Sequence, residues 1–100
     1  MAEEIFADRT ALAALCRRHH VRRLSLFGSV LKGTAQQDSD VDLLVEFEPG
    51  QVPGLIALAG IEAELSSLIG GRQVDLRTAQ DLSPRFRGEV VRTAETQYAA

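Results

Sequence analysis

One hundred residues are enough for one small domain with its own core and too few for two. Apolar residues at 45% and charged residues at 25% are the balance of a soluble globular chain rather than a disordered or fibrous one, and a net charge of −3 argues against a broad nucleic-acid surface. The single cysteine, Cys16, permits no internal disulfide and fits a reducing, cytoplasmic setting without membrane attachment, since MAEEIFADRT lacks a leader pattern and no apolar run reaches membrane-span length.

The first expected element is a helix from an Asp8 cap to about residue 19. Leu12, Leu15, Cys16 and His19 share one face. Residues before Asp8 are expected to fray or to extend the helix. Arg17, Arg18, His19 and His20 close the helix, where cations are favourable. A strand follows over 24–27 and ends at Gly28-Ser29. Residues 30–33 read as one helical turn and 34–39 as a polar loop. A second strand over 41–47 stops at Glu48-Pro49-Gly50.

The second long helix is expected over 52–69, with Pro53 in its first turn and Gly70-Gly71 at its end. Its buried face would be Leu55, Leu58, Ala59, Leu65, Leu68 and Ile69. Glu62 falls near that stripe and conflicts with it. Residues 74–76 read as a short strand. Ser83-Pro84 opens a last helix to about residue 94, with Phe86, Val90 and Val91 turned inward. Pattern assigns no element to residues 95–100 and no role to Tyr98. The fold class is α+β or α/β: a small mixed three-stranded sheet with helices packed on it, forming one domain over 1–100. The short connector makes the first two strands antiparallel, and the helical crossover makes the third parallel to the second.

Chemistry concentrates between residues 24 and 47. Asp40 and Asp42 are two apart on a strand, so they project from one face while Val41 and Leu43 enter the core. Like charges side by side repel, and a hard divalent cation held through oxygen relieves that repulsion. The strand directions bring Gly28-Ser29, Asp40, Asp42 and Asp75 to one sheet edge. Two cations about 3.5–4 Å apart there can clamp the oxygens of a phosphoryl group. The plainer alternative is that Asp40 ends a turn and Asp42 faces solvent. Gly28-Ser29 suits phosphate oxygens at a helix start, although the dipeptide taken alone reads rather as an ordinary strand-to-helix turn. A calcium loop from Asp38, Asp40 and Asp42 is excluded, because Leu43 and Pro49 stand where glycine and glutamate belong. Arg17, Arg18, Arg22 and Arg23 read as a solvated edge or as contacts for an acidic partner or nucleic acid. The adjacent His19 and His20 lack metal-ligand spacing, and Cys16 reads as core.

LFGSVLKGTAQQDSDVDLLVEF resembles the signature of the DNA polymerase beta-like nucleotidyltransferase superfamily, and GRQVDLRT and LSPRFR are similar to the continuation in its minimal members. The likeness spans about residues 12–94. It implies that Gly28, Ser29 and Lys32 hold a nucleoside triphosphate. It also implies that Asp40, Asp42 and Asp75 bind two Mg²⁺ ions, with Asp75 helping to activate the acceptor hydroxyl. The implied reaction is attack on the α-phosphorus with pyrophosphate leaving. Many relatives carry basic residues after the Gly-Ser. Here Val30-Leu31-Lys32 leaves Lys32 as the one cation, with Arg77 a candidate substitute.

The resemblance further implies an antitoxin that transfers AMP from ATP to a tyrosine of a HEPN-domain toxin. A domain this small has little room for an acceptor-binding module, so a partner protein or a homodimer would supply one. Two other readings stay open: a non-catalytic module that neutralises the toxin by occlusion, and a nucleotidyltransferase acting on a small molecule.

Overall fold

The computed structural model describes residues 5–28 and 40–100. The expectations for Ser29, Lys32, the turn over 30–33 and the loop over 34–39 lie outside the described residues. Helix α1 (Arg9–Arg18) starts where expected, with Asp8 Oδ1 accepting from the Ala11 backbone N–H at 2.9 Å. It is followed by β1 (Val21–Phe27), β2 (Val41–Phe47), α2 (Leu55–Leu68), β3 (Val74–Arg77), a 3-10 turn (Ala79–Asp81), α3 (Pro84–Thr93) and β4 (Glu95–Ala99). The sheet order is β3-β2-β1-β4. β1 pairs antiparallel with β2 and β4, and β2 pairs parallel with β3. Among the described residues no helix is long and apolar enough to cross a membrane.

The alternation of each strand separates the two sheet faces. Leu24 and Leu26 of β1, Val41, Leu43 and Val45 of β2, and Val74 and Leu76 of β3 join the core with Leu12, Leu15 and Cys16 of α1 and Ile61 and Leu65 of α2. The residues between them, among them Asp42 and Asp75, turn to the other face. Burial pushes the Cys16 thiol up to about 11, against a smaller opposing pull from Arg17, so the sulfur behaves as a small apolar group. Ile5 and Phe6, which carry no sequence pattern, are also buried in this core, Phe6 at 1% exposure.

Three expectations are corrected. Helix α2 begins at Leu55 behind a Gly54 cap, which leaves Pro53 outside it. Leu55 and Ile56 are 86% and 91% exposed, and Ala59 is exposed too, whereas Ile61 and Leu65 are buried. The sequence LIALAGIEAELSSL is apolar nearly all round, so periodicity selects no face. Packing against β3 and α1 selects it instead. Helix α3 buries no residue; Phe86 and Val91 are 58% and 49% exposed rather than inward. It is held by polar contacts: Ser83 Oγ accepts from the Arg85 N–H, and Arg87 donates to the carbonyls of Ala79 at 2.7 Å and Leu82 at 3.3 Å. Finally, residues 95–99 form a fourth strand. Five residues reading ETQYA are too short and polar to announce a strand. They pair because β1 presents an open edge beside them. A bulge at Gln97 accommodates the register, with its carbonyl accepting from Arg9 Nη1 at 2.6 Å.

Glu62, which conflicts with the apolar stripe, has a structural task. Its Oε2 accepts from the Leu76 N–H at 2.8 Å, on the edge of β3 that no strand among the described residues covers. Glu62→Ala strands that donor and is expected to destabilise by about 1–3 kcal/mol, with Glu62→Gln milder; urea unfolding checks both.

Glu64 ties α2 to α1. It accepts from Arg18 Nη2, and its Oε2 lies 2.6 Å from His19 Nε2. Desolvation works to raise the Glu64 carboxyl, but hydrogen bonds from His19 and Arg18, with their charges, outweigh it and hold the group below the usual range. A depressed carboxylate contributes stability that is fully present above the unfolded value, about 4.3, and is lost as pH falls through the lower folded value. Glu64 is partly exposed, so Glu64→Gln is expected to cost less than about 1 kcal/mol at pH 7. Unfolding midpoints of the two proteins should converge below pH 4.

Candidate active site

The second face of the sheet carries the acids. Register places Phe27 of β1 opposite Asp42 of β2, and Asp42 opposite Asp75 of β3. Two carboxylates therefore stand on neighbouring strands of the same face, beside the end of β1. Gly28 adjoins them with φ +81°, a conformation that side chains resist. A Cβ at Gly28 would lie 2.2 Å from Asp42 Oδ2. The missing side chain is thus what allows the Asp42 carboxylate to lie against the turn.

The charges are not evenly matched. Burial pushes the Asp42 carboxyl above its usual range, the neighbouring Asp75 pushes it further, Arg77 pulls it back, and Asp40 adds a smaller upward push. Arg77 lies two residues beyond Asp75 on the same face and donates to Asp75 Oδ2 through Nε at 3.2 Å and Nη2 at 3.1 Å. Asp40 sits just before β2 and is exposed. It acts on Asp42 through charge but is not in register with the pair. Among the described residues no three His, Cys, Asp or Glu side chains close into a metal-holding cluster. Asp42 and Asp75 are brought together, then, and Asp40 stands at their margin.

A cleft of about 490 Å³ opens over the pair. Phe27, Gly28, Asp42, Asp75 and Arg77 form its sheet wall, and Asp81, Leu82, Ser83, Phe86, Glu89, Val90 and Thr93 form the opposite wall. The second wall is what the sequence reading missed. Phe86 and Val90, four residues apart, signal one helical face but not whether that face meets core or cleft, and Leu82 precedes the helix. Asp81 is committed locally: its carboxylate accepts from the Thr78 N–H and hydroxyl, each at 3.0 Å, and these bonds hold it below the usual range.

The donor set suits a hard divalent cation. It offers carboxylate oxygens only, two of them on adjacent strands, with Asp42 under like-charge pressure that a cation would relieve. A mixed sheet with paired acids at one edge, facing a cleft, is an arrangement suited to phosphoryl chemistry.

The chain belongs to the nucleotidyltransferase domain family, which matches residues 9–95. It is 40% identical over 78 residues to the protein adenylyltransferase MntA of Thermococcus cleftensis, covering 78% of this chain and 76% of that one. Among solved structures it superposes with TM-score 0.71 and 43% identity on one assigned as a minimal nucleotidyltransferase, covering 88% of this chain and 87% of that one. A toxin–antitoxin structure with AMP-PNP shares the fold, with TM-score 0.71, 23% identity, and coverage of 93% of this chain and 74% of that one.

Proposed function

We propose that this protein transfers AMP from ATP to a tyrosine hydroxyl of a HEPN-domain toxin and so acts as its antitoxin. The observation that carries the reading is the Asp42–Asp75 pair in register beside Gly28. The names of its relatives add support: one is a protein adenylyltransferase, and a toxin–antitoxin structure of this fold was solved with an ATP analogue.

In this reading Asp42 and Asp75, with Asp40 drawn in from their margin, would hold Mg²⁺, two ions being expected, and the metal would supply charge neutralisation on the triphosphate. The acceptor hydroxyl attacks the α-phosphorus in line. A new P–O bond forms, the bond to the bridging oxygen breaks, and pyrophosphate leaves. Asp75 receives the hydroxyl proton. Arg77 occupies Oδ2 of Asp75, which orients the carboxylate and leaves Oδ1 as the acceptor. Gly28, with Ser29 and Lys32, positions the triphosphate. Rate then comes from alignment and charge compensation.

The test combines the protein, ATP labelled on the α-phosphate, Mg²⁺ and the product of the neighbouring gene. Label is expected on the partner with the natural protein and not with Asp42→Asn; equal labelling by both overturns the reading. A second reading, neutralisation by occlusion, is favoured by Val52, Leu55 and Ile56, which are 69%, 86% and 91% exposed. In that case an Asp40→Ala, Asp42→Ala double variant still protects cells from the toxin.

A further inference from the structure

Helix α3 carries apolar side chains that the described residues leave unburied. Phe86 and Val90 are four residues apart on one helical face, and Leu82 stands just before the helix in extended backbone; no residue of α3 is buried and Phe86 is 58% exposed. All three line the same cleft as Asp42 and Asp75. The cleft therefore offers two kinds of surface: the Asp42 and Asp75 carboxylates with Arg77 on the sheet side, and the apolar Leu82, Phe86 and Val90 interspersed with polar side chains on the other. The helix is fixed in place by the Arg87 bonds to the carbonyls of Ala79 and Leu82, so the ring stands on an anchored support.

A ligand that fits both walls has an anionic end, to be bridged to carboxylates by a cation, and a flat apolar end. A nucleoside triphosphate has both. Resting on the nucleotidyltransferase reading, we propose that Phe86, flanked by Leu82 and Val90, is the platform on which the nucleobase of the donor nucleotide stacks. Stacking on one aromatic side chain strengthens binding roughly 5- to 150-fold per base and tolerates any base. Phe86 thus contributes affinity for the nucleotide and little selectivity among bases.

Because Phe86 lies outside the core, Phe86→Ala is expected to fold, and its melting temperature should match that of the natural chain. The experiment titrates the full chain, with Mg²⁺ and no acceptor, with ATP and separately with inorganic tripolyphosphate, which has the anionic end but no base. Phe86→Ala is expected to weaken ATP about tenfold or more and to leave tripolyphosphate unchanged, while Phe86→Trp keeps ATP affinity. Equal weakening of both ligands, or of neither, overturns the platform. A natural chain that binds neither ligand overturns the nucleotidyltransferase reading and the platform with it. If both ligands bind and Phe86→Ala is without effect, only the platform falls.

Discussion

Asp42→Asn is expected to reduce nucleotidyl transfer by about 10²–10³-fold or more while leaving the thermal midpoint unchanged or slightly raised. The loss follows from position. Asp42 is the central member of the register row Phe27–Asp42–Asp75 and the carboxylate that lies against Gly28. Losing one preorganised electrostatic contact at a phosphoryl or acyl centre typically removes that much rate. The stability result runs the other way because the folded protein pushes the Asp42 carboxyl up, through burial and then Asp75. A raised folded pKa means that the ionised group is less favourable folded than unfolded. The penalty is present at neutral pH and is relieved as pH falls through the raised value. An asparagine of the same shape lacks that penalty at every pH. Melting curves at pH 7 and pH 4 would show the natural chain closing the gap with Asp42→Asn as Asp42 protonates. A variant that loses activity together with its fold would instead mark Asp42 as structural.

Gly28→Ala is expected to be the most damaging change of a single methyl. The new Cβ would meet Asp42 Oδ2 at 2.2 Å, Asp42 Cγ at 3.0 Å and Asp42 Cβ at 3.2 Å. The Asp42 side chain is short, so its carboxylate must rotate out of the acid pair. Alanine must also adopt φ near +81°, a strain of about 1–3 kcal/mol. In a domain of this size that corresponds to a fall in melting temperature of several degrees, about 4–8 °C per kcal/mol. Transfer activity should fall with it, because the displaced group is the central carboxylate. A double-mutant cycle separates the two causes: in an Asp42→Ala background the contacts with Oδ2 and Cγ are gone, so Gly28→Ala should retain its backbone strain and the milder 3.2 Å contact with the Cβ at position 42. If its cost is the same in both backgrounds, the close approach is not what makes glycine necessary.

Local chemistry made much of this arrangement legible before any tertiary information. Asp8 and Ser83 cap their helices as their side chains dictate. The period-two pattern of VDLLVEF sends Val41 and Leu43 inward and Asp42 to the opposite face. Connector lengths give the strand directions, and those directions bring Asp42 and Asp75 to the same edge. The fourth strand, the exposure of Leu55 and Ile56, and the unburied α3 were not legible. Each depends on which surface happens to be open nearby: β1's free edge for Glu95–Ala99, the flank of β3 and α1 for α2, and the cleft for α3. A helix that is apolar nearly all round carries no directional signal, and a five-residue polar strand carries almost none.

The sequence by itself determined the acids, the glycine beside them and the alternation that keeps them out of the core, because these follow from backbone period and side-chain charge acting over a few residues. Only the tertiary structure decided that Glu62 closes the edge of β3 and that Phe86 lines one cleft with the carboxylates. Those contacts join residues on separate elements or on an anchored support. Their formation depends on how whole surfaces pack, which no short stretch of sequence encodes.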